Sequence, residues 1–374
     1  MKELIKNYAD ETKEELIEII TKLCSIASFS HNELNRAKYI KDWFKQYNIE
    51  ADIDEKYNVS VWINKSEVKD MVIFSAHIDT VFPDTVGFEV VKDGNHLCAP
   101  GVGDDTTNVA EMMLIVRYLH QHNYTSDYSL LFVFNSCEEG LGNLEGSKYI
   151  VNQYASRLKE YYSLDLCYTS IINKAVGSTR YRIKIKTEGG HSYSAFGNTN
   201  AIAVASALIN ELYQYQVPTA SHSTYNVGII EGGTSVNTIA QDVSFLFEYR
   251  SDSQKDLSMM MNDFDNTIKR YQEKYNIEVE VIGVRPSMGD VDETKLAKIS
   301  KDVLDNIKEY TGLDVPIHSG STDCNIALSL GIPAVCFGGY IGYGEHTRQE
   351  YVEIDSLYTG IQIAMRYIMK YTHK

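Results

Sequence analysis

No run of about 18 consecutive apolar residues occurs anywhere in the 374-residue chain, so no conventional membrane-spanning helix is expected. The first segment, MKELIKNYADETKEEL, carries charges where an export signal needs an apolar stretch, and a cytoplasmic protein is the expectation. Positive charge is scarce: 35 lysines and arginines stand against 51 aspartates and glutamates, a net charge of −16. That balance opposes binding to nucleic acid or to an anionic membrane surface, leaving small molecules or cations as the partners to expect. The six cysteines (Cys24, Cys98, Cys137, Cys167, Cys324 and Cys336) form no C-x-x-C pair. A chain of this length needs no disulfide staples, so a reducing compartment fits and each thiol reads as a small buried hydrophobe. Low-complexity tracts and internal repeats are missing too.

What is present is a globular composition, 44% hydrophobic and 23% charged. The length exceeds what one hydrophobic core fills comfortably, and two domains are expected. Leu16, Ile19, Ile20 and Leu23, then Leu34, Ile40, Trp43 and Phe44, have helical spacing and predict two leading helices. Short apolar runs at Val59 to Ile63, Met71 to Ala76, Leu130 to Phe134 and Ala334 to Phe337 read as buried strands. Helical patterns at 107–121 and 145–158 separate them, which predicts an α/β catalytic domain whose central sheet is largely parallel and flanked by helices. Between Gly177 and Arg285 the texture changes to strands that alternate in character, 181–186 and 243–249, with helical segments at 199–215 and 254–274. An α+β domain with an antiparallel sheet, 177–286, is therefore expected as an insertion into a domain built from 1–176 and 287–374. A last helix, 355–371, would place Leu357, Ile361, Ala364, Met365 and Ile368 along one face.

Ligands of open α/β sheets bind beyond the carboxyl ends of the strands, so the polar residues that follow the buried runs carry the information. These are His77-Ile78-Asp79-Thr80, Cys137-Glu138-Glu139-Gly140, Asp165 and Gly344-Glu345-His346-Thr347, with Gly103-Asp104-Asp105 ahead of the helix near Thr107. Singly, each has an ordinary explanation as a helix cap or loop residue. Together they demand positive charge, because Glu138 and Glu139 set two carboxylates side by side at the end of an apolar strand. Two divalent ions supply it if His77, Asp104, Glu139, Asp165 and His346 are the ligands, since three carboxylates and a hydroxide then balance the pair. Imidazole and carboxylate ligands make zinc the first choice, with cobalt or manganese as alternatives. Asp79, two residues from His77 in an extended chain, is placed to accept the ring's other N–H. Glu138, beside ligand Glu139, is the expected general base.

The residues resemble those of the M20 metallopeptidases and deacylases. The resemblance spans nearly the whole chain and rests on His77-x-Asp79-Thr80-Val81, Gly103-Asp104-Asp105, Glu138-Glu139-Gly140, Asp165, Gly189-Gly190-His191-Ser192, Gly232-Gly233-Thr234-Ser235-Val236-Asn237, Ser321-Thr322-Asp323 and Gly344-Glu345-His346-Thr347. It implies that His77 and Asp165 hold one metal, that Glu139 and His346 hold the other, and that Asp104 bridges both. It also implies a cis peptide bond after Asp104. His191 would stabilise the oxyanion, either within its own chain or, as often in the family, from the partner subunit of a homodimer formed through the inserted lid. Asn237 and Arg250 would hold the substrate's polar end and carboxylate, and Ser321 and Thr322 would line the pocket. One departure stands out: where many relatives follow the paired aspartates with Lys and Gly, this chain has Thr106, Thr107 and Asn108. The expected activity is exopeptidase cleavage of small peptides; deacylation of N-acyl amino acids is the alternative, and a silent peptide- or metal-binding module the remote one.

Overall fold

Met71–His77 and Ser129–Asn135 are buried along their whole length and run parallel, side by side, inside an eight-stranded sheet. Strands covered on both faces need apolar residues at every position, which is why these segments lack polar alternation. In the computed structural model, which describes residues 1–374, the sheet order is Asp52–Ile53, Val59–Ile63, Ser129–Asn135, Met71–His77, Leu158–Leu164, Ala334–Phe337, Ile171–Ala175 and Ile317–Gly320. The centre is parallel, from Ser129–Asn135 through Ala334–Phe337, and antiparallel pairing appears at the Val59–Ile63 side. Full burial of side chains such as Phe74 and Phe132, whose rings stack at 5.6 Å, stabilises by about 1.5–3 kcal/mol each.

Helices Lys2–Cys24, Asn108–Gln121, Glu293–Thr311 and Ile354–Met369 pack together through their apolar stripes. Asp292 starts Glu293–Thr311 by accepting the Lys295 N–H at 3.1 Å, and Gly312, at φ 73°, ends it in the left-handed region. Several helices are shorter than their sequence patterns. Glu145–Tyr154 stops early because Leu158 already belongs to a strand, and Ala201–Leu212 begins only after Asn200, which caps it by accepting from Ile202 N–H and Ala203 N–H. A small antiparallel sheet of Gly342–Tyr343, Tyr351–Glu353, His96–Cys98 and Val91–Asp93 has no clear sequence signature.

The chain divides into two units, Met1–Ala175 with Gly289–Lys374, and Val176–Met288. The second is an antiparallel sheet in the order Ser223–Gly232, Asp242–Ser251, Gly177–Lys186, Asn276–Arg285. Tyr181, Ile183, Ile185, Phe245 and Phe247 pack beneath helices Ala201–Leu212 and Gln254–Gln272. Alternate residues on these strands are polar and pair across the sheet, Arg182 with Glu280 and Lys186 with Glu278, so the alternation reports one wet face.

Candidate metal centre

Parallel neighbours end at the same edge, so Met71–His77, Ser129–Asn135 and Leu158–Leu164 deliver His77, Glu138, Glu139 and Asp165 to one place. Asp104 arrives on an irregular turn ahead of helix Asn108–Gln121. Gly101 there has φ 71°, Asp104 is far from helical, and the Asp104–Asp105 peptide bond is cis. The Asp104 carboxylate faces two histidines, with Oδ1 2.9 Å from His77 Nε2 and Oδ2 3.2 Å from His346 Nε2. A further carboxylate backs each ring: Asp165 Oδ1 lies 3.9 Å from His77 Nε2, and Glu139 Oε1 lies 3.1 Å from His346 Nε2.

Charge in this cluster is unbalanced. Burial pushes the Asp165 carboxyl up to about 7, with Asp104, Asp323 and Glu139 adding repulsion against the pull of His77. Burial raises Glu139 as well, and Asp104 adds to it. Burial disfavours protonated His77, yet hydrogen bonds to Asp104 and Asp79 outweigh it and hold the imidazole well above its usual range. Hydrogen bonds from its ring to Asp104 and Glu139 raise His346 to about 11. Without a cation, the histidines take up protons to serve the carboxylates. Asp165 Oδ1 is buried and has no hydrogen-bond partner, which leaves a lone pair directed into the cluster. The donor set of two imidazoles and three carboxylates fits zinc, cobalt or manganese.

Asp79 does more than orient a ring. Its Oδ1 accepts the Glu138 N–H at 2.9 Å, and its Oδ2 accepts the Glu139 N–H at 3.0 Å and the Ser30 O–H at 2.6 Å. His77 Nδ1 is nearer the Asp79 carbonyl, at 3.1 Å, than the Asp79 carboxylate, at 3.5 Å, because that carboxylate is turned toward the Glu138–Glu139 backbone. A carbonyl only accepts, so Nδ1 carries a proton, and the neutral ring would have its Nε2 lone pair free for a metal ion on the Asp104 side.

Several residues to which the sequence assigns no ligand or catalytic role hold this arrangement. Asp105 accepts the His77 N–H at 2.9 Å and the Asn108 side-chain amide at 2.7 Å, while Asn108 accepts the Gly339 N–H at 2.7 Å. Asn108, one of the residues where the chain departs from the family pattern, thus ties Asp105 to the loop after Ala334–Phe337. Arg36 donates to the carbonyls of Ile78 and Ile26, both at 3.0 Å, and Glu33 accepts the Cys137 N–H at 3.0 Å. The only sequence signal of Arg36 is charge on an inward-facing helix position, and Glu33 immediately precedes that helix. Thr322, just ahead of helix Cys324–Ser329, accepts the Cys324 N–H at 3.3 Å and is buried; Ser321 beside it is half-buried.

The remaining candidates lie in the second unit. Gly190–His191 pairs with Thr238–Ile239, and the Ser192 N–H donates to the Asn237 carbonyl at 2.9 Å, which brings the His191 and Asn237 loops together. His191 is exposed, and its Nδ1 accepts the Tyr193 N–H at 3.2 Å, so the neutral ring carries its proton on Nε2. Gly189 and Gly190, at φ 63° and 137°, permit that turn. Arg250 stands on Asp242–Ser251 and binds the Glu248 carboxylate through Nε at 3.0 Å.

The profile of peptidase family M20/M25/M40 matches residues 73–370. The chain belongs to this family. It is 23% identical over 361 residues to the uncharacterized protein YqjE of Bacillus subtilis, covering 91% of this chain and 94% of that protein. It is also 23% identical over 371 residues to a LysW-lysine/LysW-ornithine hydrolase of Saccharolobus islandicus, covering 97% and 96%. In fold it is similar to a tripeptidase from Staphylococcus aureus, with TM-score 0.74 at 21% identity over 95% of this chain and 97% of that one. M20 membership and the clustered His and Asp groups make the chain a metallo-hydrolase. No helix is long and apolar enough to cross a membrane.

Proposed function

We propose that the chain is a cytoplasmic exopeptidase of small peptides, with a metal pair held by His77, Asp104, Glu139, Asp165 and His346. The observation that carries this reading is Asp104, whose two oxygens face two histidines, each backed by its own carboxylate. Two divalent ions, zinc by the donor set, would polarise the scissile carbonyl and acidify a shared water. Glu138 takes the proton from the attacking water and passes it to the leaving amine. Asp79 holds Glu138 in place by its backbone N–H, so the base keeps its position while it changes charge. His191, with its proton on Nε2, donates to the oxygen that becomes negative. Arg250 exchanges Glu248 for the substrate's carboxylate, which a guanidinium grips by both oxygens, and Asn237 holds the polar end. Ser321 and Thr322 line the pocket. The reading includes a homodimer through the second unit, supported by Ser223–Gly232, an edge strand that exposes Ile229 and Ile230.

The test is hydrolysis of di- and tripeptides against N-acetyl and N-succinyl amino acids by metal-reconstituted protein, with a chelated control. Chelator-sensitive cleavage of peptides with free amino termini is the expected result. Preference for acylated amino acids would move the protein to the deacylases, and no turnover with two ions bound would favour a binding module.

A further inference from the structure

Glu350 has no place in the scheme above, yet it is 1% exposed and its carboxylate receives three backbone N–H groups from a single turn. Gly101 N–H donates to Oε2 at 2.6 Å, and the N–H groups of Gly103 and Asp104 donate to Oε1 at 2.8 and 2.9 Å. That turn precedes helix Asn108–Gln121 and departs from helical geometry at Asp104 and Asp105. A carboxylate that accepts three N–H groups therefore fixes the backbone of Asp104 itself, by charge-assisted bonds about twice as strong as neutral ones.

The same residue anchors the other side of the cluster. Glu350 follows His346 by four positions and is the first buried residue after it, residues 346–349 all being exposed. The His346 side chain is 57% exposed and its backbone sits at φ 63°, so little nearby packing restrains it. Glu350 is held in turn by its own backbone, whose carbonyl accepts the Ala99 N–H at 3.2 Å, and by Tyr351, which pairs with Cys98. One side chain thus joins the segment that carries His346 to the turn that carries Asp104.

We propose that Glu350 is a positioning residue that sets the spacing between the Asp104 and His346 ligand atoms and so the affinity of the metal site that Asp104, Glu139 and His346 share. The inference rests on reading those residues as ligands. Glu350→Gln keeps the size of the side chain but turns an NH2 group toward backbone donors. Glu350→Asp keeps the charge and falls one methylene short.

The experiment titrates chelator-stripped protein with Zn2+ by calorimetry and with Co2+ by d–d absorption, and follows amide hydrogen exchange at Gly101, Gly103 and Asp104. Wild type is expected to bind two ions. In Glu350→Gln one of the two sites should weaken about 10–100-fold, the usual cost of losing a partner behind a ligand. Its three amides should exchange faster, and the melting temperature of the stripped protein should stay close to wild type. Glu350→Asp should fall between the two. Wild-type affinity for both ions in Glu350→Gln would overturn the proposal. So would a loss of stripped-protein stability with ion affinities unchanged, or failure of both variants to fold, since each assigns Glu350 to the fold alone. Fewer than two ions on wild type would instead refute the dimetal reading.

Discussion

In the first unit His77 is 1% exposed and Asp104, Glu139 and Asp165 are no more than 7%, His346 alone of the proposed ligands being exposed, whereas in the second unit His191 and Asn237 are exposed and Arg250 is half-buried. The buried set is cross-linked: Asp105 accepts the His77 N–H at 2.9 Å, Asp79 accepts the Glu139 N–H at 3.0 Å, and Arg36 holds the carbonyl of Ile78, next to His77, at 3.0 Å. The exposed set stands on glycine turns and a strand end, and its side chains are met by local groups such as Tyr193 N–H and Glu248. Groups that hold charge permanently gain from being preorganised and dry. Groups that meet and release a ligand must remain hydrated between turnovers, and loops supply them. Under the proposed roles, holding the metals would fall to the first unit and handling the substrate to the second.

Substitutions test that division in order of size. Glu138→Ala should lower kcat by about 10²–10⁴-fold while metal content, read by elemental analysis, stays at two ions per chain. Loss of an ion instead would make Glu138 a ligand and move it into the holding set. His191→Ala should lower kcat by about 10²–10³-fold with metal content and melting temperature unchanged, as expected of an oxyanion donor. If metal content falls with it, the separation between the units fails. Arg250→Ala should act mainly on KM for substrates with a free carboxylate, raising it by about tenfold, the worth of one charge-assisted contact at a partly exposed site. An equal effect on amidated peptides would count against carboxylate recognition.

The smallest effect is one of pH on stability. Asp165 sits at about 7 and Glu139 above its usual value, so in chelated protein the folded chain binds more protons than the unfolded chain between the ordinary carboxylate range and about 7. Their stabilising contribution is complete below that range and is lost as pH rises through the folded values. His77, raised in the folded state, runs the same way above its own ordinary value. The depressed Asp79 acts in the opposite direction, but only in acid, below its ordinary carboxylate value. Melting temperatures of chelated protein should therefore fall by several degrees from about pH 5 to 7.5, and added zinc should flatten the curve. A flat curve without metal would mean that the cluster is less strained than its burial implies.

The buried strands are legible in the sequence because a parallel sheet demands unbroken apolar runs, and the polar residues that follow them mark the edge where the cluster forms. The second unit is legible through its alternation. Val91–Asp93 and His96–Cys98 are not, since three residues carry no period that a helix or loop would contradict. The residues that support the cluster are harder still. Arg36 and Glu350 act through contacts 42 and about 246–249 positions away in sequence, and nothing local distinguishes them from surface charge; Asp105 lies in a readable motif, but its bond to the His77 N–H, 28 positions away, is not readable there. Asp79 stands between: its position beside His77 is readable, but not that its carboxylate serves Glu138 and Glu139.

The chain enters the second unit along Gly177–Lys186 and leaves along Asn276–Arg285, and these strands are hydrogen-bonded neighbours with Ser178 opposite Arg285. Both ends of the insertion therefore meet at one doorway. A segment whose termini coincide can be lengthened, exchanged with a relative or removed as a cassette without changing the register of the eight-stranded sheet that hosts it. If the proposed roles hold, the substrate-handling residues could be exchanged in this way while the metal-holding ones stay as they are.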